Sequence, residues 1–130
     1  MMHFVALVGL LALLQYLVFG MLVGRARGKY HVKAPAIAGH EVFERYFRVQ
    51  QNTLELLVVF LPALWLFALY ASAMWAAILG VVYLVGRVLY FRGYVADPAK
   101  REIGFGLSFL PILGLVIGAL VGVLLPLTRG

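Results

Sequence analysis

Arg48, Asn52 and Glu55 fall three and four residues apart, so on a helix they share one face. They belong to the stretch Arg48–Leu56 (RVQQNTLEL), which runs into the apolar segment Leu54–Leu69. Gln51 lies beside that face and Gln50 further round. Seven residues at ~1.5 Å each place Glu55 roughly 10 Å deeper than Arg48. A carboxylate carried so far into a membrane segment is costly, and is expected to be paired or to serve a site facing the bundle interior. An Arg–Glu–Asn network could simply lock helices together. One pair would suffice for that, and several hydrogen-bonding groups on one helix favour a polar ligand.

A second polar stripe follows. Tyr83, Arg87, Tyr90 and Tyr94 stand at offsets of zero, four, seven and eleven, again one helical face. An interfacial aromatic belt is the plain reading for the tyrosines alone, and it suits Tyr94 better than Tyr90 beside Arg87. Arg101 comes next, in the first turn of a further helix, where its side chain and the positive helix end would both favour an anion. Arg27 approaches from the end of the first apolar segment, although Arg25, Arg27 and Lys29 are also what a lipid headgroup would attract. Guanidiniums holding carboxylates in paired contacts, and a carboxylate holding an ammonium group, would suit a small zwitterion with amide bonds. A short peptide such as glutathione fits, and from spacing alone so would other zwitterions.

The elements that must position these groups are membrane helices. Of 130 residues, 65% are hydrophobic and 12% charged, against ~45–50% and ~25% in ordinary soluble domains. Spans of about 20 apolar residues are expected near Phe4–Val23, Glu41–Tyr70, Met74–Tyr94 and Pro98–Leu125, in one domain over residues 1–130. The first is expected to be a retained helix, since no basic residue precedes it and no small-residue cleavage pattern follows. Pro62 predicts a kink in the second. Asp97-Pro98 predicts a capped start to the fourth. Gly114, Gly118 and Gly122 form a flat stripe for close helix packing.

The net charge of +6 would suggest nucleic acid in a soluble protein; here it sets topology. The polar first half of the Glu41–Tyr70 helix is expected to protrude, so Arg25, Arg27, Lys29, Lys33, Arg45 and Arg48 lie between the first two membrane spans, and Arg87, Arg92, Lys100 and Arg101 surround the third connection. The turn at Ala71–Ala73 carries no basic residue. The positive-inside rule then predicts both basic connections, and the polar site, on the cytoplasmic side, with both termini on the other. The short extramembrane segments are consistent with a bacterial inner membrane. No cysteine is present, so any thiol chemistry must use a substrate's sulfur. His3, His31 and His40 have no ligand spacing, and no metal is expected.

Three stretches resemble the MAPEG family, the membrane-associated proteins in eicosanoid and glutathione metabolism. They are Phe43–Glu55 (FERYFRVQQNTLE), Gly86–Arg101 (GRVLYFRGYVADPAKR) and Gly24–Pro35 (GRARGKYHVKAP). The pattern is closest to the microsomal glutathione transferases. It departs from the leukotriene synthases at Leu56, where they have tyrosine, and at Gly28, where they have a second arginine. The resemblance implies a homotrimer of four-helix subunits with glutathione as co-substrate, bound between subunits. Carried over by motif, its glutathione-binding positions would be Arg27, Arg48, Gln50, Asn52, Glu55, Arg87, Tyr90 and Tyr94. Arg101 would be catalytic, stabilising the glutathione thiolate for attack on a hydrophobic electrophile arriving from membrane lipid, or for reduction of a lipid hydroperoxide. Two other readings compete. One is a non-catalytic scaffold of the same fold, which retention of Arg101 speaks against. The other is a small four-helix transporter, which would be expected to carry a lone midplane carboxylate.

Overall fold

The computed structural model describes residues 1–129. The expected four helices are present: α1 (Met2–Tyr30), α2 (Glu41–Tyr70), α3 (Ala73–Ala96) and α4 (Glu102–Arg129), the last entered through a 3-10 turn at Pro98–Arg101. All four are long and apolar enough to cross a bilayer. Each buries a narrow stripe. Val5, Val8 and Ala12 meet Leu57, Phe60 and Leu64, Tyr83, and Leu115 and Ala119 in one continuous core. The outward faces are apolar too: Leu10, Met21, Val58 and Ile117 are exposed. That all-round apolarity suits a lipid surround rather than water.

The end of α1 and both ends of α4, which runs from Glu102 to Arg129, differ most from the expected boundaries. α1 continues past its apolar run to Tyr30, so Arg25, Arg27 and Lys29 stand on the helix and not in the connection. Lysine and arginine are good helix formers, and Val23 and Ala26 bury this last stretch against Val32 and Phe43. His31, with φ 57° and ψ 42°, then ends α1 in the left-handed conformation. At the entry to α4, Asp97 Oδ1 accepts a hydrogen bond from the Ala99 amide (3.0 Å) with Pro98 at the first position. The turn that carries Arg101 is 3-10, with Lys100 outside helical geometry. α2 runs through Pro62 without interruption. Its 30 residues span about 45 Å against a hydrocarbon layer of about 30 Å, so Arg48–Glu55 sits where the helix enters the membrane.

Glycines set the helix spacing. Gly118 receives the Phe67 ring and Gly122 the Tyr70 carbonyl, so two glycines of the expected stripe on α4 pack against α2 of the same chain, while Gly114 faces Leu79 of α3. At the site end, a Cβ on Gly86 would meet the Leu107 carbonyl carbon at 2.6 Å, and one on Gly104 would overlap the Tyr90 backbone. Backbone cannot yield as a side-chain tip can. Gly104→Ala is therefore expected to push α3 and α4 apart and lower stability by about 2 kcal/mol. Gly106→Ala, whose Cβ meets nothing within 4 Å, is expected to change little. Thermal unfolding of both variants in detergent checks this.

Candidate functional site

At the charged end of the bundle, Arg87 is completely buried. Its Nε donates to Ser108 Oγ (2.8 Å), and one Nη donates to Asn52 Oδ1 (2.7 Å) and Thr53 Oγ1 (3.1 Å). Ser108 in turn donates to the Gly104 carbonyl at 2.7 Å. The guanidinium also lies 4.4 Å from the Tyr90 ring centroid. Four protein groups from three helices thus fix one cation, and none of them carries a charge. The single ion pair among the described residues is Arg45 with Glu41, 2.8 Å. The second Nη of Arg87 is buried without a protein partner. A guanidinium held in low dielectric by neutral oxygens alone projects a positive potential on whatever approaches the surface above it.

That surface is built on Tyr90. Tyr94 stacks against it with ring centroids 5.5 Å apart, and Phe105 meets it edge-on at 6.3 Å. Arg101 is exposed and donates to the Pro98 carbonyl at 3.0 Å, a contact within its own turn that leaves the guanidinium free to swing. It also heads a groove of about 410 Å³ along the outer face of α4, floored by Phe105, Gly106, Phe109 and Leu110. Arg45 anchors the end of α3: it donates to the carbonyls of Val95 and Ala96 at 3.1 and 3.2 Å, a cation placed at the negative helix terminus.

The sequence-derived site residues therefore fall into two groups. Asn52, Arg87, Tyr90 and Tyr94 are joined by direct contacts, while Glu55 and Arg101 stand exposed on α2 and on the turn before α4. Arg48 stands exposed on the same α2 face, one turn nearer the helix start. Gln50 points elsewhere, toward α1, where its Nε2 lies 3.0 Å from the Cβ position of Gly20. Arg27 is on α1 and holds the connection, donating to the carbonyls of Ala36 (2.6 Å) and Val32 (3.4 Å) and lying 4.8 Å from the Phe43 ring centroid. None of these contacts joins Arg27 or Gln50 to the Tyr90 group. The expectation that Glu55 faces the bundle interior is not met. Glu55 is exposed on the outside of the subunit, because the α2 residues that do face inward there are Val49, Thr53 and Leu57. Among the described residues no group of three or more His, Asp or Glu side chains is placed to hold a metal.

Two members of the network were not foreseen, Thr53 and Ser108. The available signal was Ser108 itself, a lone hydroxyl in the otherwise apolar stretch of α4, four residues after the glycine that lets α3 approach. A hydroxyl at such a place usually hydrogen-bonds across helices. Gln15 behaves likewise, donating from α1 to the Leu84 carbonyl of α3 at 3.0 Å.

Comparison with known proteins finds relatives of this sequence. The model of the MAPEG family matches residues 5–121. An uncharacterized protein of Synechocystis is 54% identical over 119 residues, covering 92% of this chain and 87% of its own. Human microsomal glutathione S-transferase 2 is 45% identical over 117 residues, covering 88% of this chain and 79% of its own. Rat leukotriene C4 synthase is 38% identical over 96 residues, covering 74% and 64%.

Proposed function

The chain belongs to the MAPEG family, and we propose that it is a multi-pass membrane glutathione transferase. The observation that carries this reading is the buried guanidinium of Arg87, without a carboxylate partner, bonded to Asn52 and lying against the Tyr90 ring. Glutathione presents two carboxylates, one ammonium group and one thiol. Arg48 and the positive field of Arg87 serve the carboxylates, and Glu55 serves the ammonium group. Asn52 and the tyrosines take the peptide amides. Since Arg87 is wholly buried, it acts through Asn52 and Tyr90, whose positions it fixes. Arg27 and Gln50, set toward α1, complete the site from a neighbouring subunit of a homotrimer. That division of labour is supported by the separation of the two groups within one chain. The site lies on the cytoplasmic side, where the basic connections gather.

Arg101 is the catalytic residue of this reading. A free thiol has a pKa of ~8.5 and is only a few per cent ionised near neutrality. A lowering of about two units makes the thiolate predominant, which asks for about 2.7 kcal/mol of preference for the anion. A released Arg101 guanidinium beside the sulfur, at the positive end of α4, can supply that. The electrophile reaches the sulfur along the apolar groove that Arg101 heads. A sulfur–carbon bond forms and the electrophile's leaving group departs with its electron pair. With a lipid hydroperoxide, the thiolate attacks the terminal oxygen, the lipid alcohol leaves, and a second glutathione converts the sulfenic acid to disulfide and water.

Glutathione binding to the purified protein, followed by titration calorimetry in detergent, tests the assignment. Saturable binding is expected. Glu55→Gln is expected to weaken it about tenfold, near 1.4 kcal/mol. No binding by the wild-type protein would return the site to a structural polar network.

A further inference from the structure

A second polar site lies between α1 and α2, apart from the Tyr90 group. A cavity of about 160 Å³ is lined by Leu22, Arg25, Ala26, Lys29, Tyr30 and Tyr46. Arg25 and Lys29 are four residues apart on α1, so both cations overhang the same opening. Neither has a carboxylate partner, since the single ion pair among the described residues is Arg45–Glu41, and no acidic residue lines the cavity. Two cations and two phenols around a small hollow are what a phosphate diester needs: charge, hydrogen-bond donors and exclusion of competing acids. Lys29 already leans over the Tyr30 ring, 5.5 Å from its centroid.

The position specifies which phosphate. The cavity sits where the apolar run of α1 gives way to its basic end, which is the level of lipid headgroups. Directly along the helix from Arg25, at four, eight and eleven residues, stand Met21, Leu17 and Leu14, exposed by 72%, 61% and 56%. From Arg25 to Leu14 is about 16 Å of helix rise, about the depth of one leaflet of hydrocarbon. A cationic hollow set above a leaflet-long apolar stripe matches a headgroup with its acyl chain and has no use for free phosphate. We infer that the Arg25–Lys29 cavity is a binding site for one anionic phospholipid, with the phosphate in the hollow and a chain along Met21, Leu17 and Leu14. The site shares no residue with the Tyr90 group and stands whether or not that group binds glutathione.

The test uses the intact protein, stripped of lipid in detergent and titrated with phosphatidylglycerol or phosphatidylcholine, with bound lipid counted per chain by native mass spectrometry. One phosphatidylglycerol per chain is expected to bind more tightly than the rest. Arg25→Gln and Lys29→Gln are each expected to weaken that event about fivefold, the worth of one cation near a lipid surface. Arg92→Gln, an exposed cation on α3 that does not line this cavity, is expected to leave it unchanged. Met21→Gln, which keeps both cations and roughens the stripe, is expected to weaken phosphatidylglycerol without changing any response to inorganic phosphate. Equal losses in Arg92→Gln would reduce the effect to general surface charge and overturn the site. So would unchanged binding in the Arg25→Gln, Lys29→Gln double variant. Protection by inorganic phosphate alone, with no lipid retained, would overturn the lipid assignment.

Discussion

Arg101→Ala is expected to abolish the thiolate absorbance of glutathione bound at neutral pH while leaving most of the binding intact. If the sulfur's pKa returns from about 6.5 to ~8.5, the ionised fraction near pH 7 drops about twenty-five-fold. The conjugation rate should fall much less, on the order of threefold from ionisation alone. A thiolate of higher pKa is the better nucleophile, with a Brønsted slope of ~0.4–0.5 that gives back most of the loss. Ultraviolet difference spectra and turnover with an apolar aryl halide, measured on the same preparation, separate the two quantities. A rate loss well beyond the ionisation share assigns Arg101 a further role in aligning sulfur and electrophile. A thiolate signal that survives the substitution removes Arg101 from the mechanism. Its present contact, a single hydrogen bond to the Pro98 carbonyl within an exposed 3-10 turn, is weak enough to be exchanged for a thiolate.

Arg87→Met is expected to be the most destabilising single change at the site. It removes the donor shared by Asn52, Thr53 and Ser108. Hydrogen bonds to a charged group contribute ~1.5–3 kcal/mol each in soluble proteins, and interhelical bonds in membranes nearer ~1. Ser108 keeps its bond to the Gly104 carbonyl, so its loss is partial. The sum is about 3 kcal/mol, to be read as a lowered unfolding midpoint in detergent. Arg87→Lys keeps the charge but offers a compact head in place of a planar fork, and is expected to recover less than half. Glutathione affinity should fall with both variants, because Asn52 and the Tyr90 ring lose the group that orients them. Unchanged stability with lost affinity would instead mean that Arg87 itself reaches the ligand.

The membrane class and the four helices were legible in the residues, because apolar runs of spanning length form helices in lipid, where every backbone amide must be bonded internally. Which residues share a face was legible too. A helical period is a local property, so Arg48, Asn52 and Glu55 on α2 and Arg87, Tyr90 and Tyr94 on α3 follow from spacing alone. Helix ends were less legible. α1 carries Arg25 to Tyr30 beyond its apolar run because Phe43 and Val32, which cover that stretch, come from later in the chain.

Which way each face points was settled by helix packing. Spacing cannot tell the inside of a subunit from its outside when both are apolar. Glu55 is exposed because Thr53 and Leu57 take the inward positions. Arg87 is buried because Gly86 and Gly104 bring α3 and α4 close enough for Ser108 to reach its Nε. The same rotation of α2 turns Gln50 toward Gly20 and away from Tyr90. Those outcomes depend on the packing of four helices at once, through glycines and a serine whose own sequence neighbours carry no hint of the partner they meet.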